Sequence, residues 1–137
     1  MGHTIPYNIL ADTAGKSVSV SFENNRYTLV DIWYSNCAPC IKQFPELLSL
    51  YDRYQSKGFG IVQISTDVEA RRGSMIKLIN QYKLNWPHYW DKNGIKTSEF
   101  FINQFPTNFL VDSKGTIIAK NLGMASLQKY LESVLRN

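Results

Sequence analysis

Cysteine is nearly absent: Cys37 and Cys40 are the only two in 137 residues, and two cysteines cannot build the disulfide framework of a small secreted scaffold. Histidine is as scarce, so beyond the cysteine pair only His3 and His88 remain for zinc, which wants more ligands. No apolar run approaches the length of a transmembrane helix, and residues 1–10 lack the basic start and apolar centre of a signal peptide. Blocks of like charge are missing too. Lys and Arg number 15 against 11 Asp and Glu, for a formal charge of +4, but no basic stripe interleaves with aromatics. This excludes nucleic acid as a partner and leaves a solvated basic surface that modestly favours acidic proteins. Repeats, low-complexity tracts and linkers are absent, so 1–137 reads as one domain, a monomer. With 44% hydrophobic residues, a chain of this size buries roughly two thirds of its unfolded surface and needs no staple. Met1-Gly2-His3 has the look of a cloning remnant, which leaves room for an anchor upstream.

The chemistry is concentrated in Tyr34-Ser35-Asn36-Cys37-Ala38-Pro39-Cys40, where one apolar run ends and another begins. Before it, Leu29-Val30-Asp31-Ile32-Trp33 is short, apolar and rich in β-branched and aromatic residues, the pattern of a buried strand interrupted by one carboxylate. After it, Ile41, Phe44, Leu48 and Tyr51 recur at three- and four-residue steps and predict a helix over 40–54. The Cys-x-x-Cys pair falls where strand gives way to helix, and the unpaired N–H groups and dipole of a helix N-terminus stabilise a thiolate. Free cysteine titrates at about 8.5, and such settings lower this to between about 3.5 and 7.5, which makes Cys37 the nucleophile. Cys40, one turn on and shielded by the helix, is placed to attack a mixed disulfide at Cys37 and release the product.

Residues 29–40, Leu-Val-Asp-Ile-Trp-Tyr-Ser-Asn-Cys-Ala-Pro-Cys, closely resemble the active-site stretch of thioredoxin-like proteins. Pro45 stands at the offset of that family's helix-kinking proline. Phe105-Pro106-Thr107-Asn108-Phe109-Leu110-Val111-Asp112 resembles the family's cis-proline segment. The resemblance implies that Pro106 is cis and packs against the cysteine pair, and that the Phe105 backbone offers hydrogen bonds to an extended substrate bordered by Asn36, Ala38 and Pro39. It further implies that Asp31 matches the family's buried acid, taking and returning the Cys40 proton, with its pKa raised by burial. The bland alternative for Asp31 is a hydrated carboxylate near the sheet edge. Two residues depart from the pattern. Asn36 replaces a tryptophan, which removes a flat apolar docking surface and implies a different partner preference. Gln43 stands where the ResA type carries a glutamate, so Asp31 is left to act alone.

Residues 5–22 alternate about a turn at Asp12-Thr13-Ala14-Gly15-Lys16 and read as an N-terminal hairpin. Gly58 ends the first helix, and Gly60-Ile61-Val62-Gln63-Ile64-Ser65-Thr66 reads as a strand parallel to the first. Ser74 reads as the cap of a helix bearing Met75, Leu78, Ile79 and Tyr82 on one face, with Arg71 and Arg72 at a solvated helix start. Trp86-Pro87-His88-Tyr89-Trp90-Asp91 holds a short strand, and residues 94–101 a brief helix. Residues 107–111 and 116–119 flank the Asp112-Ser113-Lys114-Gly115 turn as an antiparallel hairpin, and Ser126 caps a last helix with Leu127, Tyr130, Leu131 and Val134 inward. The expected fold is α/β: a thioredoxin fold with a central mixed β-sheet flanked by helices, extended by the N-terminal hairpin and by a central strand-helix insertion. Both additions are similar to the TlpA and ResA type, whose members are membrane-anchored or secreted.

The expected activity is thiol-disulfide exchange through Cys37-Ala38-Pro39-Cys40, in the direction of reducing protein disulfides, without a cofactor beyond the redox-active pair. Expected partners are protein thiol or disulfide clients and an electron-donor thiol protein, in an extracytoplasmic setting, periplasmic or membrane-anchored facing the periplasm. The alternative is a soft-metal carrier that binds Cu(I) through the same two cysteines. A purely structural disulfide over so short a loop stabilises little. A peroxidase of the peroxiredoxin class expects Thr or Ser three residues before its reactive cysteine, where Tyr34 stands. His88, beside aromatics in a short strand, is left out of the site.

Overall fold

The computed structural model of the protein describes residues 2–135. β1 (Ile9–Ala11) and β2 (Ser17–Ser19) form the N-terminal hairpin. Then come β3 (Tyr27–Trp33), α1 (Ala38–Lys42), α2 (Phe44–Tyr54), β4 (Phe59–Ser65), α3 (Arg72–Gln81) and β5 (His88–Trp90). α4 (Ile95–Glu99), β6 (Thr107–Asp112), β7 (Ile117–Lys120) and α5 (Met124–Val134) complete the order. The strands make one seven-stranded sheet, β2-β1-β5-β4-β3-β6-β7, with β3, β4 and β5 parallel and the outer pairings antiparallel.

Strand alternation sorts side chains onto two faces. On one, Leu29, Trp33, Phe59, Ile61 and Leu110 meet Phe44, Leu47, Met75, Leu127 and Leu131 from the helices, and Cys37 and Cys40 belong to this cluster. On the other, Val30, Ile32, Val62, Ile64 and Phe109 pack against Ile5, Tyr7, Leu10 and Phe22. Residues 2–20 are therefore a strap across the second face. The strap starts beside β7, where the Ile5 N–H donates to Gly115 O at 2.8 Å and the Ile117 N–H to His3 O at 2.8 Å. It ends in the hairpin at the opposite edge, next to β5. Tyr7 O–H donates to Thr97 Oγ1 at 2.8 Å and Thr97 O–H to Asp91 Oδ2 at 2.7 Å, which ties the strap to α4.

Three expectations are corrected. The helix over 40–54 is two helices: Pro45 has no N–H to continue the ladder, and the chain breaks at Gln43, whose N–H turns to Cys40 O at 3.2 Å and to Ile41 O. Ser74 and Ser126 lie inside α3 and α5, which begin two residues earlier, at Arg72 and Met124, behind the N-caps Arg71 and Gly123 that make no side-chain hydrogen bond. Arg72 is no simple solvated cation, since its Nε–H donates to Thr13 O at 2.7 Å and its guanidinium lies over the Trp90 ring.

Candidate active site

Cys37 ends the loop after β3 and is the N-cap of α1, with extended backbone and Pro39 in the first turn behind it. It is joined to Cys40 by a disulfide, with Cα atoms 5.3 Å apart. The Cys40 N–H donates to Cys37 Sγ at 3.3 Å, so the sulfur occupies the capping position usually filled by a side-chain oxygen. Cys37 Sγ thus has a backbone donor beside it at the start of a helix only five residues long. Both cysteines are buried, 2% and 1% exposed, while Asn36, Ala38 and Pro39 around them are exposed and form the rim.

The loop before β6 reaches this rim from the other side. The Phe105–Pro106 peptide is cis, both residues are half-buried, and the Phe105 ring lies edge-on to Tyr34 with centroids 5.3 Å apart. Tyr34 is thus a contact between the cysteine loop and the cis-proline loop, a role its sequence position did not announce.

Asp31 sits in the middle of β3, paired with Gln63 of β4 and Asn108 of β6, and is 1% exposed. This overturns the hydrated-edge alternative. It shares the face of Leu29 and Trp33, hence of the cluster that contains the cysteines. Burial pushes its carboxyl up to about 6, and a hydrogen bond from Gln63 Nε2 to Oδ2 at 2.9 Å works in the opposite direction. Gln43, at the break between α1 and α2, keeps its Oε1 buried, and neither that atom nor Asp31 Oδ1 has a partner among the described residues.

Asp67 is the residue that sequence reasoning missed. Its buried carboxylate accepts the Ser35 N–H at 3.0 Å on both oxygens, the Ser35 hydroxyl at 2.7 Å and the Ser65 hydroxyl at 2.5 Å. It holds the turn that delivers Cys37 from a point 32 residues away in sequence. His88 Nε2–H donates to Leu84 O at 2.8 Å, and burial lowers the pKa of its ring, in keeping with leaving it out of the site. Among the described residues no cluster of three or more His, Cys, Asp or Glu side chains is placed to hold a metal ion, and no helix is long and apolar enough to cross a membrane.

Residues 1–120 match the AhpC/TSA family. A thiol-disulfide oxidoreductase ResA from Bacillus cereus is 26% identical over 137 residues, 98% of this chain and 78% of its own length. The sporulation thiol-disulfide oxidoreductase A of Bacillus subtilis is 28% identical over 86% of this chain and 72% of its own. Among solved structures, the thioredoxin domain of a Bacteroides vulgatus thiol-disulfide oxidoreductase superposes with a TM-score of 0.83 at 34% identity, covering 98% of this chain and 97% of its own.

Proposed function

From the premise that this chain belongs to the AhpC/TSA family and is a thioredoxin-fold thiol-disulfide oxidoreductase working by dithiol-disulfide exchange, we propose that it reduces disulfides in protein clients through Cys37 and Cys40. The observation that carries the proposal is the Cys37–Cys40 bond at the head of α1, with Cys37 Sγ accepting the Cys40 N–H.

In the reduced protein, the Cys37 thiolate attacks a client disulfide. A Cys37–client S–S bond forms, the client bond breaks, and the freed client sulfur leaves as a thiolate that takes up a proton. Asp31, ionised at neutral pH because it titrates near 6, accepts the Cys40 proton. The Cys40 thiolate then attacks Cys37 Sγ, the internal disulfide closes, and the second client sulfur departs and is protonated. Two electrons have passed to the client, whose two sulfurs take their protons from Asp31 and from solvent, and a thiol protein returns the electrons by the reverse route. No cofactor is needed beyond the dithiol. Asn36, Ala38 and Pro39 on one side, and Phe105 and Pro106 on the other, border the place where an extended client segment lies. Residues 1–137 act as one domain and as a monomer, in an extracytoplasmic compartment, with any membrane attachment outside this segment. A peroxidase reading has Tyr34 against it, since its ring turned toward Phe105 leaves no small hydroxyl at that position.

The test is thiol trapping with mass spectrometry across dithiothreitol and glutathione buffers. A reversible midpoint near the reducing end of the family range, roughly −270 to −120 mV, supports a reductase. A Cys40→Ser variant should accumulate client proteins bound at Cys37. A pair that does not oxidise reversibly and instead retains stoichiometric copper would return the metal-carrier alternative.

A further inference from the structure

A row of polar side chains crosses the buried face of the sheet: Asn108 on β6, Asp31 on β3, Gln63 on β4 and His88 on β5 stand in register. Its hydrogen bonds are dictated from outside the row. The Trp86 indole N–H can only donate, and it donates to Gln63 Oε1 at 2.9 Å. The amide oxygen is thereby committed, so the amide NH₂ must face Asp31, where Nε2 lies 2.9 Å from Oδ2. Gln63 is fully buried and Trp86 nearly so, which leaves no water to take over either bond. Oδ2 is then an acceptor in both protonation states of Asp31, and the other oxygen, Oδ1, is buried with no partner among the described residues.

We infer that Trp86, acting through Gln63, assigns the exchangeable proton of Asp31 to Oδ1 and makes the orientation of one amide control how tightly that proton is held. With the amide reversed, a carbonyl would oppose the carboxyl and favour its protonated form. Gln63 and Trp86 are positioning residues, since they touch neither cysteine nor client.

Other influences on Asp31 are weak by placement. Asn108 is neutral and occupied by Leu122, whose N–H and carbonyl it meets at 3.1 and 3.0 Å. His88 lies beyond Gln63 and is bonded to Leu84 O. The helices over this face turn Phe44, Leu47, Met75, Leu127 and Leu131 inward; their charged residues are exposed except Arg72, which is half-buried and held by Thr13 O and the Trp90 ring. The cluster on this face also holds Tyr54 and, packed against it, Tyr27, Tyr34, Tyr51, Tyr82 and Tyr130; Cys37 and Cys40 carry no proton in the disulfide form.

The catalytic use of this lock rests on Asp31 serving as the base for Cys40; the proton assignment itself does not. The experiment is therefore a carboxyl ¹³C NMR titration of Asp31 in the full chain in its disulfide form, for wild type, Trp86→Phe, Gln63→Met and the double variant. Each single variant should bind the Asp31 proton about tenfold more tightly, a midpoint about one pH unit higher, because a donor to the charged form is lost or free to turn away. The double variant should match Gln63→Met, because Trp86 acts only through the amide. Folded variants whose midpoints stay at the wild-type value, with thermal stability alone reduced, would overturn the inference. So would a further shift from Trp86→Phe in the Gln63→Met background. Should Trp86→Phe fail to fold, Gln63→Met decides alone, since Met keeps the volume and removes the donor. The pH profile of Cys40 attack on the mixed disulfide is read separately: an unmoved profile beside a moved titration rejects Asp31 as base and keeps the proton assignment.

Discussion

Asp31 links fold stability to pH, and as the proposed base for Cys40 it would link the redox site to pH as well. Its folded pKa is raised from 3.8 to about 6, so the folded protein holds this proton more tightly than the unfolded chain does. The associated stability is fully present below about pH 4 and is lost as pH rises through 6. At neutral pH the buried carboxylate therefore costs up to about 3 kcal/mol. Asp31→Asn, which still accepts from Gln63, should unfold at higher urea than wild type at pH 7, with the difference vanishing below pH 4. The same variant should slow the second exchange step at neutral pH. Asp67, unlike Asp31, has both side-chain oxygens satisfied, by the Ser35 N–H and the Ser35 and Ser65 hydroxyls. Asp67→Asn turns one acceptor into a donor against Ser35 or Ser65 and should cost about 2 kcal/mol in denaturant titration. It should also shift the reduction midpoint, since Ser35 is two residues from Cys37. At this scale the sequence was legible where chemistry is contiguous or matched by family resemblance: Cys37 and Cys40 are bonded, the Phe105–Pro106 peptide is cis and Asp31 is buried. Asp67, Gln63 and Trp86 were not, because their partners lie 32, 32 and 23 residues away and nothing local distinguishes a clamp from an ordinary turn or strand residue.

Helices and strands followed their periodicity, and their ends did not. The apolar steps placed α3 and α5 correctly on the sheet, but Ser74 and Ser126 were misleading as caps, since serine is as easily accommodated in a first turn as in front of it. The break at Gln43 follows from Pro45, yet periodicity survives a kink and so conceals it. The link from Arg72 to Thr13 joins elements 59 residues apart and had no local signal. Gly58 was legible because its conformation is dictated by backbone: it closes the turn after α2 with φ +105°, and a Cβ there would meet the Arg26 side chain at 3.0–3.3 Å. Gly58→Ala should lower stability by about 1 kcal/mol or more, measured by thermal unfolding, without changing the reduction midpoint.

For the molecule as a whole, oxidation state and fold stability are linked. Closing a short loop is worth about 2 kcal/mol in the chain-entropy account, so the disulfide form should unfold at higher denaturant than the dithiol form, as a reductase requires. A dithiol form of equal or greater stability would instead favour an oxidase. The strap across the second face is the other global feature; alternation about the turn at residues 12–16 exposed its hairpin but not its course, because residues 2–5 meet β7 through backbone bonds that no side-chain pattern encodes. Ile5→Ala removes a buried anchor from that course and should cost about 3 kcal/mol in urea unfolding. An open sheet ordinarily presents two free edges, at which unravelling and unwanted pairing begin. Here a single segment bonds to β7 at one side and, through β1, to β5 at the other, so that covalent chain and hydrogen bonds close like a hoop across one face of the sheet, with β2 left outside it as an edge. A hoop does not peel from an end: it has to be cut, and slipping at either fastening slackens the tension on both.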